Sequence, residues 1–136
     1  MNAKIYLGQI GRLEKMVHNK QIEAQRLREL CGNITVQTDK ERIRTSNISD
    51  PTARCATELA YISNQIDRWL KKRQYIVNQI DMIEDIDVYE LLSYRYVQQL
   101  SVVEISDKLN ITEKAVWKRL KKAHTVFEDT YGREDS

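Results

Sequence analysis

Apolar residues recur along the first part of the chain at steps of four and three: Tyr6, Ile10, Leu13, Val17, Ala24, Leu27 and Cys31, interrupted only by Lys20. A second series runs Cys55, Leu59, Ile62, Ile66, Trp69, Ile76, Ile80 and Ile83, interrupted only by Arg73. Steps averaging 3.5 residues place one narrow apolar seam on each of two long helices, the pattern of a coiled coil. Each helix is expected to span roughly 28 residues, or about 42 Å at 1.5 Å per residue. The segment 32–50 between them is polar and follows neither period. Gly32 suits a helix C-cap, and Asp50-Pro51 suits the N-cap and first turn of the second helix. A connection of that length is long for a hairpin and is expected to be mobile.

Folded back antiparallel, the two seams set Cys31 opposite Cys55 and bring Glu14 near Arg73. A disulfide is open to this pair. The preferred reading is two small buried residues in a reducing cytoplasm. The seams leave Leu7, Met16 and Leu30 beside the first stripe and Leu70 and Val77 beside the second. A two-helix hairpin has little core of its own. It is therefore expected to pack on a second copy, the preferred case, or on the C-terminal part of the chain.

After residue 83 the elements shorten. Asp87 to Gln98 fits an amphipathic helix with Asp87 as N-cap and Val88, Leu91, Leu92, Tyr94 and Tyr96 as its apolar surface. Ser101-Val102-Val103-Glu104 has the capping-box form and predicts a helix to about Leu109, with Ile105 and Leu109 on one face. Asn110 tolerates the left-handed turn conformation. Thr112 then caps a last helix that reaches about Tyr131. Its inner face is Val116, Leu120, Ala123 and Phe127. The expected fold class is all-α: a helical hairpin over 1–83 with loop 32–50, followed by a compact helix-turn-helix domain over 84–136.

Composition narrows the classes. The chain has 136 residues, 31% of them charged, with one proline and four glycines. That argues against a turn-rich β fold and against a glycine loop for nucleotides. No apolar run approaches the ~18 residues of a membrane span, and the first residues do not read as a secretory signal. A cytoplasmic protein is expected. The net charge of +2 says little, but its distribution is uneven. Residues 1–83 carry 14 Lys/Arg against 9 Asp/Glu, and residues 84–136 carry 8 against 11. Inside that acidic second part, residues 112–122 hold five Lys/Arg against Glu113 alone. A solvated helix face is the ordinary meaning of such a run; here its setting gives it another.

Two short helices joined by a three-residue turn are the helix-turn-helix arrangement, whose second helix enters the major groove with its N-terminal outer face. The candidate DNA-binding residues are Thr112, Glu113, Lys114, Trp117, Lys118, Lys121 and Lys122. Lysines there can neutralise phosphates or reach guanine O6 and N7. The helix start and the Thr112 hydroxyl suit a phosphate. Trp117 can lie against a thymine methyl or pack on the preceding helix. The acids Glu84, Asp85, Asp87 and Glu90 read as ordinary enrichment at a helix start, or as a protein-binding patch.

The stretch from Tyr94 to Ala123 resembles region 4 of sigma-70-type factors. Glu104-Ile105, Leu109, Val116, Arg119-Leu120 and Ala123 stand at the spacing of that family. Ser106, Asn110, Ala115 and Trp117 depart from its usual Ala, Gly, Thr and Lys. The Trp117 departure means the family's base preference does not carry over. The opening Tyr6 to Met16, the polar loop, the second long helix and the sigma-like end together resemble small regulators of Gram-positive phages and integrative elements, related to late-gene activators of the RinA/ArpU type.

That resemblance implies a sequence-specific DNA-binding transcriptional regulator, an activator, with its recognition helix at 112–130. The implied partners are double-stranded DNA, host RNA polymerase and a second copy of the chain. A small terminase subunit and a polymerase or anti-sigma interaction module are the alternatives. No enzyme, cofactor or metal site is expected: His18 and His124 have no Cys or carboxylate at ligand or triad spacing.

Overall fold

The computed structural model describes residues 1–38 and 51–132, and these are all-α, with no strand among them. Helix α1 spans Ala3–Thr38, α2 Pro51–Asp81 and α3 Ile86–Leu92. A π-helical turn follows at Ser93–Val97, then α4 over Val102–Leu109 and α5 over Glu113–Tyr131. The expected Asp50 cap and most of the expected loop, residues 39–50, lie outside the described residues.

These residues form two compact units, one of Met1–Glu14 with the chain from Lys72 onward, the other Lys15–Lys71. The division falls inside both long helices, where the sequence placed it between residues 83 and 84. The reason lies in the residues beside the seams. Leu7 and Val77 are buried in the first unit, so the first turns of α1 and the last turns of α2 belong to the core built by α3, α4 and α5.

That core is dense. Phe127, Leu7, Ile10, Ile76, Ile80, Leu92, Ile105, Leu120 and Val116 are all essentially inaccessible. The Phe127 ring sits 5.8 Å from the Tyr6 ring and 4.8 Å from the Tyr131 ring, within the range of favourable tilted aromatic pairs. The polar ends of these tyrosines are satisfied: the Tyr6 hydroxyl donates to the Gln79 side chain, and the Tyr131 hydroxyl donates to the Gln79 carbonyl at 2.7 Å. The Ala3 amide donates to Glu128 Oε1 at 2.9 Å, which sets a carboxylate at the positive end of α1. Arg73 Nε donates to Glu14 Oε1 at 2.6 Å, the pair that the antiparallel register predicts.

The unit Lys15–Lys71 is thinner. Val17, Ala24, Cys55 and Ile62 are buried on the seam, while Leu27, Leu59, Ile66 and Trp69 are half-buried. Beyond Ala24 the helices are joined by a disulfide between Cys31 and Cys55, with Cα atoms 5.9 Å apart. The register of the seams is therefore right and the preferred reading of two free thiols is corrected. Helix α1 also continues past Gly32, which is not a C-cap: no glycine has a positive φ, the conformation such a cap requires. A glycine inside a helix costs about 1 kcal/mol relative to alanine, which a helix of 36 residues absorbs.

In the region after α2, the expected helix over 87–98 is shorter and starts earlier. Asp85, not Asp87, is the N-cap: its side chain accepts from the amides of Asp87 and Val88. That start turns Val88, Leu91 and Leu92 inward together. The helix then widens at Ser93–Val97 and ends as Gln99 takes a left-handed conformation, φ 59°. Among the described residues, no helix is long and apolar enough to cross a membrane.

Candidate nucleic-acid interface

Helix α4 starts on the capping box that its sequence predicts. The Ser101 side chain accepts from the Glu104 amide, and the Glu104 carboxylate accepts from the Ser101 amide at 3.1 Å. The Ser101 amide donating to the carboxylate, with the Ser101 side chain second, lowers the Glu104 pKa below its ordinary value. Asn110 closes the helix in the left-handed region, φ 56° and ψ 47°. Two residues later the extended Thr112 caps α5, its hydroxyl oxygen accepting from the Ala115 amide at 3.1 Å. Ser106 lies buried within α4 and donates to the Val103 carbonyl at 2.7 Å, so its hydroxyl is satisfied without a partner outside the helix.

The cap sets the rotation of α5. Val116, Leu120, Ala123 and Phe127 are buried, as their spacing predicts. With 3.6 residues per turn, Lys114, Lys118 and Lys121 fall on the opposite side, one above the other. All seven candidate residues, Thr112, Glu113, Lys114, Trp117, Lys118, Lys121 and Lys122, are exposed.

The two flanks of that lysine stripe differ. On one side stands Trp117, half exposed at 50%, with the Arg95 guanidinium 5.8 Å from the centre of its ring, a cation–π contact. Arg95 comes from the π-helical turn and also donates to the Leu100 carbonyl at 3.0 Å, which holds it in place. This stacked pair answers the question left by the sequence: the indole is covered in part by the preceding segment and remains open in part. Arg95 was not among the candidate residues. Its position 22 residues from Trp117 carries no periodic signal, and only the fold joins them.

On the other flank, Arg119 and Lys122 share a cleft of about 250 Å³ with Asp85, Asp87 and Glu90. The carboxylates in this cleft offset part of the charge of Arg119 and Lys122. Deeper in the unit, the Tyr96 hydroxyl and His124 Nε2 lie 2.6 Å apart. Burial lowers the His124 pKa against the raising effect of Glu128, and burial raises that of Tyr96. Both groups are therefore neutral, and the hydrogen bond between them ties the π-helical turn to α5.

The chain belongs to DUF1492, a family described as of unknown function, whose profile matches residues 57–128. No curated protein and no solved structure matches it.

Proposed function

We propose that this protein is a sequence-specific DNA-binding transcriptional regulator, an activator of phage or integrative-element genes, with α5 as the helix that enters the major groove. The observation that carries this reading is the outward stripe of Lys114, Lys118 and Lys121 on a capped helix that follows α4 through a three-residue turn. A stripe of this kind can neutralise phosphates on either wall of the groove, while Thr112 and the first-turn amides present donors at the helix start. The Trp117–Arg95 pair adds a flat apolar surface backed by a cation on one side of the stripe.

The sequence resemblance to sigma region 4 supports the same direction. One module of this modest charge binds weakly by itself. A second copy, or host RNA polymerase bound to the same promoter, supplies the remaining affinity. Exposed Ile22, Leu30, Tyr61 and Leu70 on the unit Lys15–Lys71 offer apolar surface for a copy. Two recognition helices in such a dimer would read half-sites about 34 Å apart or a multiple of that.

The test is duplex binding by fluorescence anisotropy across a salt series, using a duplex enriched by selection from a random pool. Affinity falls with salt, and the slope of log K against log salt shrinks by about one for each of Lys114→Ala and Lys118→Ala. An affinity indifferent to salt, or unchanged in both variants, removes the reading.

A further inference from the structure

The corner between α2 and α3 exposes three large apolar side chains within eight residues: Met82 at 75%, Ile86 at 74% and Tyr89 at 37%. Ile86 and Tyr89 are three apart on α3, on the face opposite buried Val88, Leu91 and Leu92. Their exposure adds nothing to folding, since the helix already has its inward residues. It does cost free energy in water.

The chain segment that forms this corner is acidic, and Arg119 and Lys122 approach it in the cleft they share with Asp85, Asp87 and Glu90. From Ile76 to Ser93 the chain carries five carboxylates and no Lys, Arg or His. Asp85 is committed to the α3 cap, Glu90 accepts from Tyr94 at 2.6 Å, and Asp87 shares the cleft with Arg119 and Lys122. Asp81 and Glu84, on either side of Met82, are exposed, and neither is in an ion pair among the described residues.

We infer that this corner is a docking surface for a partner protein that presents a basic amphipathic helix. Apolar side chains of the partner cover Met82 and Ile86, its Lys or Arg side chains answer Asp81 and Glu84, and the Tyr89 ring receives one of those cations on its face. Charge decides the class of occupant. A duplex or an anionic lipid surface is repelled here. Among the described residues of a second copy, 112–122 has one exposed large apolar side chain, Trp117, while the basic stretch 68–75 exposes Leu70 and Tyr75, and sedimentation separates that occupant from a foreign partner. The inference does not rest on DNA binding by α5.

The probe is a fluorescein-labelled 18-residue helical peptide with leucines at steps of three and four and lysines elsewhere, titrated into the full chain. Two further peptides replace its leucines by serine or its lysines by glutamate. The leucine–lysine peptide binds, and both altered peptides bind at least about tenfold more weakly. Amide shifts on binding concentrate in residues 81–91. The double variant Met82→Ser/Ile86→Ser and the single variant Glu84→Lys each weaken binding by about tenfold or more. All of these side chains are exposed, so the melting curves stay unchanged and DNA affinity does not fall. Equal binding of the serine peptide, unchanged binding in both variants, or shifts centred elsewhere overturns the inference. So does sedimentation showing a wild-type dimer that the double variant dissolves, which assigns the corner to a second copy.

Discussion

Residues Lys15–Lys71 bury four apolar side chains among those described, whereas the unit of residues 1–14 and 72–132 buries seventeen. Yet the two hold similar shares of the chain's regular periodicity, and the seam through Cys31 and Cys55 looks as orderly in sequence as the one through Ile10 and Ile80. What separates them is how many elements converge. In the larger unit two helix ends meet three shorter helices, so a residue beside the seam, such as Leu7 or Val77, finds cover. In the other, Leu30 and Leu70 stay exposed, and a covalent bond closes the far end. A helix pair alone makes a seam; a core needs a third element.

Phe127→Ala probes the dense unit at its centre and has the largest expected effect, a loss of about 3–5 kcal/mol. Hydrogen exchange should show protection lost together across α3, α4, α5 and the first turns of α1. Protection lost at the foot of α5 alone would break the comparison, because the unit would not then be cooperative.

Cys31→Ser comes next. A cross-link closing a loop of this size contributes about 3 kcal/mol by restricting the unfolded chain. The loss should appear as faster exchange in residues 25–32 and 51–58, with the amides of α4 and α5 unaffected. Treatment of the native chain with a dithiol reductant should give the same pattern. An unchanged exchange map would mean that the half-buried Leu27 and Leu59 suffice to hold the end.

Thr112→Ala removes the α5 cap and should cost about 1 kcal/mol, read as a lower melting temperature with the helix content retained. The smallest effect is a pH slope. His124 is held neutral, with its folded pKa below the ordinary 6.5. The unfolded chain therefore takes up a proton that the folded one resists, and stability falls as pH drops below about 6.5. His124→Gln keeps a hydrogen-bonding partner for Tyr96 without a titrating ring and should flatten the curve in that window. A curve of the same slope would place the titration elsewhere.

Much of this was legible from residues near one another in sequence. The capping box Ser101–Glu104, the left-handed Asn110, the Thr112 cap and the inner face of α5 depend on spacings of three and four, and the structure has them. The Glu14–Arg73 pair followed from the register of two seams. The end of α1 is not legible in the sequence, because Gly32 permits a stop without imposing one. The register of the seams sets Cys31 opposite Cys55 but carries no signal for the redox state of the pair. Helix α3 began two residues early because both Asp85 and Asp87 can cap, and only packing chooses between them. Arg95 beside Trp117 and the exposed Met82 and Ile86 needed the folded chain, since neither stacking across 22 residues nor exposure leaves a periodic trace.

The reading of α5 is tested most directly by following backbone amides of the full chain as a selected duplex is added. Shifts should centre on residues 112–122 and on Arg95, with the corner at 81–90 silent. Shifts that pass over residues 112–122, or that centre on the acidic corner, would contradict it.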